Sequence, residues 1–347
     1  MQRCRRPVVL FLLAASAPFV VSLASFVVAQ RHSLLREPDA FIASLKQTGH
    51  AFRIIPLAPW KFLLARDPLC REAETVLIGS SREAELDATL VGTAVCNLYV
   101  DGLSAPGFAH LAQALSPLAR GQHRMVYVGI DHFWLWYDAD PFETVELQTL
   151  AVSRPLWKVW SVLHVLDFFT MSDLHEALRR PSEDRRRFED QPYVWYADGH
   201  LFHPYYYTQK RAGIHHSVSQ QEIAAGVHIL FGKARVEESH RRALERGIRL
   251  LYAKGYTVRM FWNPVSAAHI AAARHSFPVL FQQTMDAIDR LAVTLPLDHY
   301  FPASQTLDAS QFGCTEGDDL DAVHVDIDCL RRVFGPASMR LKEVHSG

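Results

Sequence analysis

From Thr75 onward, short unbroken apolar runs alternate with stretches whose apolar positions recur at helical spacing. Thr75-Val76-Leu77-Ile78 predicts a short buried strand closing at 79, followed by a helical stretch over 81–90. A strand over 95–100, a helix over 105–118 and a strand over 125–130 continue the alternation. The pattern resumes late in the chain. Ala234 to Lys254 is strongly amphipathic and stops at Gly255, and Thr257-Val258-Arg259-Met260-Phe261-Trp262 predicts another strand. A last helix is predicted over about Phe277 to Val293. Strands separated by helices imply βαβ units and a parallel sheet, so the expected fold class is α/β.

Residues 137–222 break this rhythm. Leu156 to Leu178 reads as helix, Pro181 to Asp190 as a charged exposed break, and Pro192 to Ile214 is rich in aromatics. The expectation is an insertion, or cap, over the C-terminal edge of the sheet. Trp195, Tyr196, Tyr205, Tyr206 and Tyr207 are candidates for stacking on sugar rings there, or for a small core of the cap itself. Before the alternation, residues 30–73 read as a connecting helix and packed leader. Phe41, Ile42 and Leu45 recur at helical spacing, while Pro56, Pro59 and Pro68 break the later segments.

The first 29 residues have a different character. Arg3, Arg5 and Arg6 precede an uncharged apolar run from Pro7 to Ala29. At 1.5 Å per residue such a run crosses roughly 30 Å of hydrocarbon. Basic residues ahead of it keep the N-terminus cytoplasmic and export the rest. A retained transmembrane anchor is therefore expected, with the domain at 74–335 outside a bacterial-type inner membrane and a tail at 336–347. Cleavage after Val27-Val28-Ala29 is the competing reading.

Composition narrows the partners. With 36 basic against 37 acidic residues in 347, no polyanion-binding surface is advertised, and nucleic acid is not an expected partner. Four cysteines follow the anchor, Cys70, Cys96, Cys314 and Cys329, and an oxidising compartment permits three pairings. Cys314–Cys329 is the first choice, because it would staple the segment between them, which leaves Cys70–Cys96; free buried thiols are the alternative. His215-His216 is no metal site, since adjacent side chains on a strand point oppositely. No cofactor is expected.

Candidate chemistry lies at both ends of the predicted domain. Gly79-Ser80-Ser81-Arg82 closes the first strand, and a Ser just past a strand end stands at the open rim of a sheet. Asp321-Ala322-Val323-His324 puts a carboxylate and an imidazole three residues apart, where one turn presents both. Together they supply a nucleophile, a base and the group that orients the base. Arg82 is a candidate contact for an anionic group, or else a partner of Asp87 or Glu85 on the following helix.

At four places the chain resembles the SGNH, or GDSL-like, hydrolase superfamily. Gly79-Ser80-Ser81 is similar to its Gly-Asp-Ser block, and the middle Ser resembles the membrane-anchored branch that includes DltD and AlgJ/AlgX-type proteins. Asn97-Leu98-Tyr99-Val100-Asp101-Gly102 is similar to the block carrying the oxyanion-hole glycine. Gly129-Ile130-Asp131 is similar to Gly-x-Asn-Asp but lacks the Asn whose amide donates to the oxyanion. Asp321 and His324 match Asp-x-x-His. Pro264-Val265-Ser266-Ala267-Ala268-His269 is similar to a stretch of that branch, which makes His269 a candidate contact for substrate or leaving group, or else a capping or packing residue; Asn97 is a further candidate contact. The resemblance implies a three-layer α/β/α flavodoxin-like fold and an oxyanion hole from Ser81 and Gly102, with Asp131 at the third place. It also implies an extracytoplasmic esterase or O-acyltransferase acting on acyl, chiefly acetyl, esters of an envelope or secreted polysaccharide, alongside other envelope acyl-transfer proteins. A non-catalytic assembly component of a polysaccharide complex is the alternative it leaves open.

Overall fold

The computed structural model describes residues 38–51, 57–136, 189, 191, 193–214, 218–231 and 236–334. The apolar run Pro7–Ala29, the helix expected over Leu156–Leu178, the His215-His216 pair and the C-terminal tail lie outside them. Among the described residues no helix is long and apolar enough to cross a membrane.

The leader forms α1 (Pro38–Thr48), β1 (His50–Ala51), α2 (Leu57–Leu64) and α3 (Pro68–Glu72). The alternation then runs β2 (Thr75–Ile78), a 3₁₀ turn (Ser81–Glu83), α4 (Ala88–Val91), β3 (Val95–Asn97), α5 (Ala105–Ala114) and β4 (Met125–Ile130). Next come β5 (Val194–Tyr196), β6 (Leu201–Phe202), α6 (Pro204–Arg211), α7 (Gln220–Phe231) and α8 (Glu238–Ala253). β7 (Thr257–Trp262), α9 (Ala267–Ser276), α10 (Pro278–Ala292), β8 (His299–Phe301), α11 (Ala303–Thr306) and α12 (Ile327–Phe334) complete the chain.

A five-stranded, wholly parallel sheet in the order β3-β2-β4-β7-β8 forms the centre. Its strands are mostly apolar because both faces are covered, with polar side chains such as Arg259 and His299 at half-buried or exposed positions. Val76, Ile78, Val126, Val128, Val258 and Met260 point into one core with α5 and α8. Leu77, Tyr127 and Phe261 point into a second with Leu330 and Val333 of α12. The chain leaves β2 for β3 on one side and then returns to β4 on the other. That reversal opens a crevice at the C-terminal ends of β2 and β4, where backbone groups no longer pair across the sheet. Ser81 stands in it.

Several elements differ from the expectation. Residues 81–90 do not form one helix: a 3₁₀ turn ends near Ala84, and Asp87 then caps α4 through the N–H groups of Thr89 and Leu90, each at 3.0 Å. The side chain of a helix-capping Asp competes with continuation of the preceding turn. Pro192–Ile214 holds a hairpin, β5–β6, which pairs with β1 to make a separate antiparallel sheet. This hairpin docks on the main domain through Leu201 N–H to Ala84 O and Asn97 N–H to Asp198 O, both 2.7 Å. The late strand β8 and the final helix α12 are additional to the predicted elements.

Candidate active site

The nucleophile turn is set by three neighbours in sequence. β2 ends at Ile78, Ser80 Oγ accepts from Arg82 N–H at 3.3 Å, and the 3₁₀ turn begins at Ser81. The first N–H of such a turn has no partner within it. Some 240 residues later, Asp321 organises its own loop. Its Oδ1 accepts from the Val323 and His324 N–H groups at 2.8 and 3.0 Å, while Leu320 N–H reaches back to His324 O at 2.9 Å. That closed turn throws the His324 ring toward β2.

The two segments meet. Ser81 Oγ lies 2.7 Å from His324 Nε2, and His324 Nδ1 lies 2.7 and 2.8 Å from the Asp321 oxygens. An ionised carboxylate only accepts, so Nδ1 carries the proton and Nε2 is free to accept from the Ser81 hydroxyl. Burial pushes the Asp321 carboxyl upward, but the His324 hydrogen bond and charge, with the two backbone N–H donors, hold it at about 2. Asp321 is therefore a fixed negative charge behind the imidazole at any working pH.

Gly102 lies in the loop after β3 with φ of 61°, a left-handed conformation that favours glycine. Val100 N–H donates to Gly79 O at 3.0 Å, tying this loop to the strand that carries the nucleophile. Asp131 does not face an oxyanion. Its side chain is fully buried, and Oδ1 pairs with Arg82 Nη1.

Arg82, Asn97 and His269 also sit inside the protein rather than in the crevice. The Arg82 side chain is 4% exposed; besides Asp131, its Nε donates to Val323 O at 2.9 Å. Neither Asp87 nor Glu85 is its partner. Asn97 is fully buried, donating to Glu83 O at 2.7 Å and Leu86 O at 2.9 Å and accepting from Tyr99 N–H at 3.0 Å. It fixes the chain that leaves the nucleophile. His269 Nδ1 meets Ala322 O at 3.2 Å, and burial, with the charge of Arg82, drives its imidazole down to about 3, so it is neutral. Arg82 and His269 thus grip successive carbonyls of the loop that presents His324.

Glu85 and Tyr207 take roles other than those the sequence suggested. Glu85 accepts from Tyr207 Oη at 2.5 Å and pairs with His203 Nδ1 at 2.6 Å, while Tyr207 Oη accepts from Ile327 N–H at 2.8 Å. This chain of bonds joins the nucleophile turn, the insertion and α12. Burial raises the Asp101 carboxyl above its ordinary value, against the opposing charges of His324, Lys61 and His203. Of the aromatics proposed for stacking, Trp195 and Tyr207 are buried, Tyr205 is 52% exposed, and Tyr196 stacks on His200 at 4.2 Å.

Cys314–Cys329 and Cys70–Cys96 are both disulfide-bonded. The first closes a loop that contains Asp321 and His324; the second ties α3 to β3. No protein-family model matches the chain, and no curated protein matches it either.

Proposed function

We propose that this protein is a serine esterase or O-acyltransferase of the SGNH kind, working through an acyl-Ser81 intermediate. The observation that carries the reading is the continuous hydrogen-bonded relay Ser81–His324–Asp321, closed at 2.7 Å on both sides of the imidazole. Unassisted, a Ser hydroxyl is a poor nucleophile at neutral pH; paired with an oriented imidazole it attacks acyl carbons. The strand order, with its switch point at β2 and β4, is that of flavodoxin-like doubly wound sheets, which suits the same family.

The chemistry follows from the atoms. Ser81 Oγ bonds to the acyl carbon as His324 Nε2 takes its proton. The tetrahedral oxyanion then collapses, the ester C–O bond breaks, and His324 returns the proton to the departing alcohol. A second hydroxyl, from water or a sugar, loses its proton to His324 and attacks the acyl carbon; the acyl C–Oγ bond then breaks as His324 returns that proton to Ser81. The oxyanion is left to the backbone N–H groups of Ser81 and Gly102, because Asp131 is a carboxylate committed to Arg82. One donor fewer lowers the rate by about 10²–10³, which suits a slow, dedicated enzyme.

The N-terminal apolar run behind three arginines and the two disulfides favour an extracytoplasmic, membrane-tethered domain. In that setting the acylated partner is an envelope or secreted polysaccharide, and acetyl is the group transferred. Labelling the full chain with a serine-directed phosphonate tests the reading. Modification is expected in the wild type and lost in Ser81→Ala. A folded wild type that resists the probe would instead favour the non-catalytic assembly role.

A further inference from the structure

Glu83, two residues past the nucleophile, is 1% exposed and occupies a cradle made by two missing side chains. A Cβ on Gly79 would lie 2.2 Å from its Cδ, and a Cβ on Gly129 only 1.4 Å from its Oε1. Neither glycine has a positive φ, so room for this carboxyl, not backbone freedom, requires them. Gly79 follows β2 immediately, and Gly129 belongs to β4. The third wall is Asn263, just beyond β7: the same Gly129 Cβ would sit 2.7 Å from Asn263 Oδ1. One carboxyl, on the residue two places after Ser81, therefore packs where three central strands end.

Among the described residues no free cation serves it. Arg82 on the same turn gives Nη1 to Asp131 and Nε to Val323 O. His269 is neutral, and burial, with the charge of Arg82, holds His132 well below its ordinary value. One guanidinium matched by one carboxylate leaves no counter-charge for a second buried anion, whose desolvation would cost several kcal/mol. Burial, then the nearby Asp131 charge, raises the Glu83 acid well above its usual 4.5, against smaller opposing effects of Asn263 and Arg82.

We propose that Glu83 works as a protonated acid, a neutral strut paired with the Asn263 amide that locks three strand ends together and positions Ser81. Among the described residues, neither carboxyl oxygen of Glu83 and neither side-chain polar atom of Asn263 has a hydrogen-bond partner. The two groups are complementary, because a protonated acid would donate its O–H to the amide oxygen and accept from the amide N–H. Glu83 is a positioning residue, and its link to turnover rests on the hydrolase reading, whereas its protonation does not.

Glu83→Gln keeps the shape and neutrality of the strut, and Glu83→Ala removes it. In the full chain at about pH 8, far above ordinary carboxyl titration, infrared spectra should show a protonated-acid carbonyl band that Glu83→Gln lacks. Glu83→Gln should react with the serine-directed phosphonate near the wild-type rate and melt near the wild type. Glu83→Ala should melt lower and, where folded, react about 10²-fold more slowly, as expected for a displaced nucleophile. Absence of that band, or a glutamine variant as impaired as the alanine one, overturns the strut. A wild type inert to the phosphonate sinks the hydrolase reading alone, since the band and the melting order still judge Glu83.

Discussion

Arg82 Nε donates to the Val323 carbonyl at 2.9 Å, joining the residue after the nucleophile to the residue before the base. Through this one bond, the spacing between Ser81 and His324 depends on a buried guanidinium. Arg82 is itself held by Asp131 at the end of β4. The triad is therefore braced from below by an ion pair, and its geometry is coupled to the charge state of that pair.

Asp131→Asn tests the brace. The substitution restores the side-chain amide that the resembled family carries, yet this position faces Arg82 and not an oxyanion. Removing one partner of a buried pair leaves an uncompensated charge and costs about 3–5 kcal/mol. The expected outcome is a lower urea midpoint and reduced turnover of p-nitrophenyl acetate. A gain in turnover would show that Asp131 does reach the oxyanion.

His324→Ala removes the proton acceptor while leaving the core untouched, because the ring lies in a surface loop. Turnover of the same ester should fall by about 10³-fold or more, with only a small drop in melting temperature from the lost Asp321–His324 bond. Asp321→Asn should approach this loss, since an amide in its place no longer fixes the Nδ1–H tautomer. Equal rates in mutant and wild type would exclude His324 as the base.

The triad itself was legible because its residue types are few and their placement follows simple rules. A polar nucleophile ends an apolar strand, and a carboxylate and an imidazole share one turn. What braces it was not legible. Proximity along the chain points Arg82 toward Asp87 or Glu85, but its partner arrives from another strand, 49 residues on. Motif spacing makes Asn97 a substrate contact, yet spacing says nothing about which way an amide points. Glu83 is hidden by the expected helix over 81–90, on which an acid reads as solvated. β8 is only three residues long and runs into Pro302, too short for periodicity to register. The β5–β6 hairpin sits in an aromatic stretch whose pairing partner, β1, lies far back in the leader.

Acidity acts on the triad loop through two carboxyls of opposite sign. Asp321 titrates near 2 in the folded chain, below the ordinary 3.8. Its contribution to stability is present above 3.8 and is lost as pH falls toward 2. Asp319, buried in the same loop, is raised to about 7 by burial first and then by the Glu316 charge. The folded state then holds a proton that the unfolded chain releases, so stability declines as pH climbs from 3.8 to about 7. Asp319→Asn should flatten that decline in melting temperature across the interval. An unchanged slope would assign the pH dependence to other groups.

The Cys314–Cys329 bridge encloses 15 residues of separation, and within them both Asp321 and His324. Closing a loop of this length restricts the unfolded chain and contributes about 3 kcal/mol. In the folded state it also anchors the triad loop to α12, whose first turn is capped by Asp326 through the N–H groups of Asp328 and Cys329. Replacing both cysteines by serine should therefore act twice. The urea midpoint should drop by the equivalent of about 3 kcal/mol. Phosphonate labelling of Ser81 should also slow at temperatures where the variant remains folded, because the imidazole is held less firmly against the hydroxyl. Loss of stability with an unchanged labelling rate would mean that the grip of Arg82 and His269 on Val323 and Ala322 positions His324 unaided.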